Sequence, residues 1–183
     1  MLNPGNMFGP AFKKEEFASA NIIRAIITWS RVFGFPKIYY QVVDVRDAAF
    51  AHLQALKVPE ARNQRFLIVG EGMFWIMFGI YLNEEFGRHY YITTRRIQSE
   101  WVLEFMGMFT NKAKLLAAKR GPVQHCNVDK SKNILGVTYR SGRQSLVDMM
   151  YWMIDVDYIP NKLPENLAKR RKTIAKFEER PKL

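Results

Sequence analysis

Strand-like and helix-like segments alternate along this 183-residue chain, and that alternation limits it to α/β architectures. The β-branched and aromatic run Ile38–Val43 predicts a strand, and Asp44 predicts the N-cap of a helix over Val45–Lys57. Two further strands are predicted at Arg65–Val69 and Tyr90–Thr94. Apolar periodicity predicts further helices over Lys14–Phe33, Gly72–Phe86, Ile97–Met108, Lys112–Lys119, Asp129–Leu135 (with Asp129 as the cap) and Arg143–Asp155. Three strands are few for an independent doubly wound sheet, which indicates that something else supplies part of the sheet.

Composition and cysteine usage place the chain in a broad class. Apolar residues make up 48% of it, which is enough for a packed core. The single cysteine, Cys126, excludes an internal disulfide and fits a reducing compartment. The longest apolar run, Met73–Leu82, is too short to cross a bilayer, and the first ten residues lack the features of a signal peptide. We therefore expect an intracellular protein of the mitochondrial matrix or cytoplasm, not a secreted one.

The charge is uneven, and much of the net +11 lies near the end of the sequence. From Pro160 onward, eight Lys/Arg stand against three Asp/Glu, which predicts a reductase-like lobe over 1–159 and a basic helical or extended tail over 160–183. Zinc-ligand spacing, an RNP-like strand and a GXXG loop are all missing from the sequence, which argues against nucleic acid as the partner. We expect other protein subunits as partners, docked on Lys169, Arg170, Arg171 and Lys172.

Two local motifs resemble cofactor sites, and both fail on steric grounds. Gly70-Glu71-Gly72 follows a predicted strand, but Trp75 stands where a dinucleotide fingerprint needs its third glycine. A plain strand-to-helix turn explains it. Tyr158 and Lys162 have Tyr-x-x-x-Lys spacing, but the proline between them disfavours the helix that would align the two side chains.

Histidine and cysteine chemistry is not indicated either. His52, His89 and His125 are far apart in sequence and have no paired metal-ligand spacing. His52 falls in a predicted helix and His89 in a predicted turn. Cys126 directly follows His125, which does not by itself make a nucleophile–base pair. The sequence therefore predicts no catalytic residue and no metal ligand.

Several segments, taken in order, resemble the extended short-chain dehydrogenases/reductases, in particular the NAD-dependent epimerase/dehydratase and dihydroflavonol reductase-like group. Asn3–Pro10 is similar to that family's Asn/Arg-Pro-x-x-x-x-Gly-Pro segment, and Val43–His52 is similar to its "DVRDvAxAH" strand-to-helix junction. The strand Arg65–Val69, the last strand-like segment Leu135–Ser141 and the closing stretch Ser145–Asp148 also match. The resemblance covers roughly residues 2 to 157.

The resemblance implies the C-terminal portion of a Rossmann-type enzyme, with few strands and several helices and with the N-terminal Rossmann half missing. It implies that Pro4, Gly5, Asn6, Met7 and Ser19 face the cofactor and that Phe8 and Phe12 line a substrate pocket. Asp44, Arg46, Asp47 and His52 are interpreted as a helix cap and core-positioning residues.

The sequence departs from the family because the glycine-rich loop, the ribose-binding acid, the catalytic Ser/Thr and the Tyr-x-x-x-Lys pair are not in it. We expect no cofactor on the chain alone, and NAD(P) and a small-molecule substrate only if a Rossmann half completes it. The first hypothesis is a catalytically incomplete, pseudoenzyme-like subunit that acts as an accessory component of a larger assembly. The alternative is a fragment or split half of an NAD(P)-dependent oxidoreductase that reduces a carbonyl substrate.

Overall fold

In the computed structural model, the described residues are 1–12, 17–90, 92, 97, 99–111, 114 and 122–164. Their strands are β1 (Leu2–Pro4), β2 (Asn6–Phe8), β3 (Tyr39–Asp44), β4 (Phe66–Ile68) and β5 (Glu71–Phe74). Their helices are α1 (Ala18–Phe33), α2 (Val45–Lys57), α3 (Trp75–Tyr90), α4 (Glu100–Phe109), α5 (Asp129–Leu135) and α6 (Gly142–Asp155), with a 3-10 turn at Pro59–Ala61.

The strands form two small sheets that share one stretch of chain. β1 pairs in parallel with β4, and β2 pairs in parallel with β3, which pairs antiparallel with β5. Only Gly5 separates β1 from β2, and its N–H donates to the Ile68 carbonyl at 2.9 Å. A Cβ at this position would lie 2.6 Å from the Gln41 carbonyl oxygen, so the two sheets can meet here only around a glycine.

Each sheet has its own hydrophobic core. The three-stranded sheet is covered by α1, α3 and α6, whose buried side chains include Ile23, Phe78 and Met150. The β1–β4 pair packs against α2 and α5 through a smaller core that includes Ala51 and Leu135. The small alanines of α2 let that helix lie close to the sheet.

The strand-to-helix unit at the centre confirms the sequence prediction. α2 spans Val45–Lys57, and Asp44 caps it by accepting a hydrogen bond from the Arg46 N–H. The strand before it runs over Tyr39–Asp44, one residue later than predicted at each end. The predicted strand at Arg65–Val69 is shorter, Phe66–Ile68.

The prediction for Gly70-Glu71-Gly72 is wrong, because Glu71–Phe74 forms β5 and the next helix begins only at Trp75. A Cβ on Gly72 would lie 2.4 Å from the Tyr39 hydroxyl oxygen of the paired strand. The glycine therefore serves close cross-strand packing and does not form a turn.

The end of α3 also differs from the sequence prediction. The helix continues through Gly87 and His89 to Tyr90, so His89 lies in the last helical turn and Tyr90 does not begin a strand. Phe86 and Tyr90 are both buried and lie one turn apart, which extends the helix past the glycine. The remainder of the predicted strand, except Ile92, lies outside the described residues.

The later helices follow the predictions with local corrections. α4 begins at Glu100, whereas Ile97 forms an isolated bridge with Phe35. Asp129 is the first residue of α5 and not its cap, a position that Val128 takes. Gly136 ends α5 in the left-handed conformation with φ +65°. The stretch 136–140 that follows is irregular, and most of the predicted helix over 112–119 lies outside the described residues.

α6 spans Gly142–Asp155 and is capped by Ser141, whose hydroxyl accepts from the Gln144 N–H at 3.2 Å. Of the part of the chain that the structure describes, no helix is long and apolar enough to cross a membrane.

Candidate functional site

A groove of about 420 Å³ opens where β2 ends and α1 and α2 begin. Four of the residues that were predicted to face the cofactor or to line the substrate pocket lie in this groove: Asn6, Met7, Phe8 and Ser19. The remaining lining residues are Gly9, Pro10, Ala11, Phe17, Ala18, Ile22 and Val45. The fold therefore brings most of the predicted site into one depression.

Two polar side chains of the groove are engaged within the chain. The Ser19 hydroxyl donates to the Met7 carbonyl, and the Asn6 amide nitrogen donates to the Gln41 carbonyl at 3.2 Å. Met7 is 44% exposed, whereas Phe8 is buried and contacts the ring of Phe78 edge-on. The groove consequently presents mainly apolar surface.

The other predicted site residues lie around this groove or away from it. Pro4 is exposed at the end of β1, and Gly5 is the junction between the two sheets. Phe12 is fully exposed and does not line the groove. The predicted docking residues Lys169–Lys172 lie outside the described residues, so the structure does not test them.

β1 presents an open edge next to the groove. Among the described residues β1 pairs with β4 alone, so its opposite edge carries unpaired backbone groups. All-parallel sheets occur almost only in α/β proteins, where helices cover both faces. Within the described residues the β1–β4 pair is such a sheet of only two strands, and its β1 edge is open.

A buried ion pair at the start of α2 anchors helix α6 beside the groove. The Asp44 carboxylate is 1% exposed and accepts from the N–H, Nε and Nη2 of Arg46, each at 2.8 Å. It also accepts from the Ser145 hydroxyl at 2.8 Å, and Arg46 Nη2 donates to Asp148 at 2.6 Å. Ser145 and Asp148 belong to α6, so this cluster joins α6 to the β3–α2 junction.

An acidic residue in the first turn of α2, Asp47, holds the chain just before α6. Asp47 is buried and accepts from the backbone N–H of Arg140 at 2.7 Å, and it also pairs with the Arg140 guanidinium. Glu71 adds a further tie by accepting from the Gly142 N–H at 2.9 Å. These contacts confirm the interpretation of Asp44, Arg46 and Asp47 as cap and positioning residues.

The two buried carboxyls differ in their proton affinity. Burial alone would raise the pKa of Asp44, but the hydrogen bonds from Arg46 and Ser145 outweigh it and lower that pKa below its ordinary value. Burial raises the pKa of Asp47, and the hydrogen bond and charge of Arg140 offset only part of that effect. Neither carboxyl lines the groove, so neither is a candidate general acid there.

Ser145 and Asp148, the partners of Asp44 and Arg46, are not evident from the sequence. Their side chains are 101 and 102 residues further along the chain, a separation that no local pattern reveals. The family resemblance offers one signal, because both Val43–His52 and Ser145–Asp148 match family segments.

The residues of the Tyr-x-x-x-Lys and Gly-x-Gly motifs lie in different surroundings. The Tyr158 hydroxyl is buried without a hydrogen-bond partner among the described residues. Lys162 instead places its ammonium over the ring of Tyr90, 5.7 Å from its centre. Gly70 and Gly72 line a separate cavity of about 150 Å³.

That cavity is also lined by the adjacent residues His125 and Cys126 and by Glu71, which is distant from them in the sequence. Within the described ranges no three His, Cys, Asp or Glu side chains are grouped as metal ligands. His52 hydrogen-bonds the Ala48 carbonyl one turn earlier in α2 at 2.7 Å, which fits a structural role.

Comparison with known proteins places the fold. No family model matches the chain. A protein of Saccharomyces cerevisiae described only as an uncharacterized oxidoreductase is 26% identical over 169 residues, which are 85% of this chain and 42% of that protein. The structure of the yeast methylglyoxal/isovaleraldehyde reductase with NADPH matches with a TM-score of 0.65 and 22% identity, over 85% of this chain and 43% of that one.

Two further solved structures match in the same way. The NADPH complex of Gre2 from Candida albicans has a TM-score of 0.64 and 23% identity, over 84% of this chain and 43% of its own. A nucleoside-diphosphate-sugar epimerase from Pseudomonas aeruginosa has a TM-score of 0.65 and 17% identity, over 86% and 48%. The chain thus spans less than half the length of these relatives. It has the fold of part of a Rossmann-type extended short-chain dehydrogenase/reductase, and the proteins that it matches include oxidoreductases and an epimerase.

Proposed function

We propose that the chain forms the substrate-side half of an NAD(P)-dependent oxidoreductase that reduces a carbonyl compound, and that a nucleotide-binding half completes it. The observation that carries this proposal is the open edge of β1 directly beside the groove. The match to less than half of each NADPH-bound relative supports it.

The direction of β1 explains why the open edge and the groove belong to one site. β1 runs from Leu2 to Pro4, and the chain then passes through Gly5 into the groove-lining residues of β2. Ligands of parallel α/β sheets bind beyond the carboxyl ends of the strands. A strand that extends the sheet in parallel at β1 would therefore end beside Pro4, and a cofactor at its end would meet the groove.

The residues of this chain would then shape the site and leave the proton chemistry to the other half. Asn6, Met7 and Ser19 line the groove and would form the wall that faces the nicotinamide. Pro4 and Gly5, which directly precede β2, would lie at its edge. Phe8 supports the substrate side from the core. NAD(P)H supplies the hydride when bound, and the apolar wall excludes water from it.

A fusion protein tests this function. The chain is joined to the part of the yeast methylglyoxal/isovaleraldehyde reductase that the structural match leaves uncovered, and NADPH binding is measured by calorimetry. We expect the fusion to bind NADPH and to consume it with isovaleraldehyde, beyond what the uncovered part does alone. The chain alone should not bind NADPH at low micromolar concentration.

Substitutions in the fusion assign the effect to the groove. Met7→Asp places a charge on the apolar wall and should weaken NADPH binding roughly tenfold. Met108→Asp on α4, also an exposed methionine, is the matched control and should leave binding unchanged. Equal effects of the two substitutions would refute the assignment of the groove.

The same experiment separates this function from an accessory role. A fusion in which the backbone N–H groups of β1 are protected from hydrogen exchange, but which neither binds nor consumes NADPH, would favour the accessory-subunit hypothesis. Protein partners and a mitochondrial or cytoplasmic location stay predictions of the sequence.

A further inference from the structure

Helix α2 carries an apolar stripe on a side that does not pack into the core. Ala48 and Ala51 of this helix are buried in the smaller core. Phe50, Leu53 and Leu56 are spaced three residues apart, which places them along another side of the helix, and they are 42%, 48% and 87% exposed. These three residues are called the α2 stripe below. Large apolar side chains grouped in water mark an interaction surface.

The topology of the small parallel sheet indicates where the next helix of a completed sheet would lie. β1 and β4 are parallel neighbours, so the chain between them crosses over the sheet, and α2 covers one face of this pair through the smaller core. Crossovers of this kind are right-handed in nearly all proteins. The handedness of a crossover and the direction of its step across the sheet together determine which face its helix covers.

A strand that precedes β1 in a completed enzyme, and that pairs with its open edge, stands to β1 as β1 stands to β4. Both crossovers then step across the sheet in the same direction. A second right-handed crossover therefore places its helix on the face that α2 covers, beside α2. α5 contacts both α2 and β4, so it lies on the β4 side of α2. The side of α2 toward the open edge of β1 is left for the added helix.

We propose that the crossover helix of the nucleotide-binding half that leads into β1 docks on the α2 stripe. Phe50 and Leu53 lie at the centre of this contact, because each is already about half buried by the chain itself. The partner is an amphipathic helix whose apolar side meets the stripe. This inference rests on the proposed function and adds a helix–helix contact to the strand pairing at β1.

Association of the two halves as separate polypeptides tests the docking. The full chain is mixed with the part of the yeast methylglyoxal/isovaleraldehyde reductase that the structural match leaves uncovered, in the presence of NADPH. Calorimetry measures the dissociation constant. Phe50→Ser, Leu53→Ser should raise that constant roughly thirtyfold, because the exposed halves of two large apolar side chains no longer leave water on association. Circular dichroism checks that the variant keeps its helix content.

The matched control removes two apolar side chains of similar exposure from α4, a helix that contributes no described residue to either core. Phe105 and Met108 are 54% and 75% exposed, and Phe105→Ser, Met108→Ser should leave the dissociation constant unchanged.

The possible results separate this inference from the proposed function. If the fusion of the two halves binds NADPH, the function stands. The α2 docking is then refuted by separate halves that do not associate, or by an α2 variant that associates no more weakly than the α4 variant. A fusion that does not bind NADPH refutes the function and the docking together. A dimer of the wild-type chain alone, seen by sedimentation velocity and lost in the α2 variant, would instead assign the stripe to a second copy.

Discussion

Replacement of Asp44 by asparagine should be among the most destabilising single polar changes in this fold. The wild-type carboxylate is 1% exposed and accepts four hydrogen bonds, three from Arg46 and one from Ser145. Asparagine keeps one acceptor oxygen but points an NH₂ group at donors. Hydrogen bonds to charged groups contribute about 1.5–3 kcal/mol each. Arg46 keeps Asp148 and some solvent contact, so we expect a net loss of about 3 kcal/mol in the free energy of unfolding.

Urea unfolding followed by far-UV circular dichroism measures this loss. For a chain of this size, such a loss lowers the unfolding temperature by roughly 6–12 °C. Asp148→Asn is the control, because that carboxylate is 28% exposed and should contribute under about 1 kcal/mol. If the two variants lose the same free energy, the assignment of the stabilisation to the buried carboxylate is wrong.

The same carboxylate should give the fold a defined sensitivity to acid. The pKa of Asp44 is lower in the folded chain than in the unfolded chain, so its contribution is complete above the unfolded pKa of about 3.9. That contribution is lost as the pH falls through the folded pKa. The stability difference between wild type and Asp44→Asn should therefore be constant near neutral pH and should shrink below about pH 4. A difference that grows on acidification would contradict this sign.

Two further predictions each compare a matched pair of variants by urea unfolding. Gly79→Ala should lower the free energy of unfolding by about 1–3 kcal/mol, because its Cβ would clash with the buried ring of Phe35. Gly136→Ala meets no atom within 4 Å and should lose only the roughly 1 kcal/mol that its positive φ costs. Equal losses would mean that the Phe35 ring moves aside freely. Tyr158→Phe should be neutral or stabilising, because the buried Tyr158 hydroxyl lacks a hydrogen-bond partner among the described residues. Tyr90→Phe removes the 2.6 Å hydrogen bond from the Tyr90 hydroxyl to the Pro160 carbonyl and should cost about 1 kcal/mol. A loss of more than that in Tyr158→Phe would reveal a partner for its hydroxyl.

The sequence predicted the elements whose signals are local. Asp44 before an alanine-rich amphipathic run is sufficient to place α2 and its cap, because both depend on residues within one or two turns. Gly136 likewise ends α5 through its own φ. The resemblance implied that Asn6, Met7 and Ser19 face the cofactor and that Phe8 lines a substrate pocket. All four line one groove, and their roles stay predictions.

Features that depend on distant pairing could not be predicted in this way. β1 and β2 are three residues each and contain Asn and, in β1, Pro, which are typical of turns. They are strands only because β4 and β3 pair with them. The run from Gly72 onward is apolar throughout, so its period does not distinguish β5 from the first turn of α3. Pairing with β3 decides that boundary.

The tie between Asp44, Arg46 and α6 also has a consequence for biosynthesis. Ser145 and Asp148 are translated about a hundred residues after the two groups that they bind, as are the residues of α6 that fill the larger core. Contacts of such long sequence separation form late and slow the folding of a chain. Until α6 has been synthesised, Asp44 lacks its Ser145 partner and one face of the three-stranded sheet stays uncovered. A chaperone that binds emerging apolar segments has its longest opportunity in that interval.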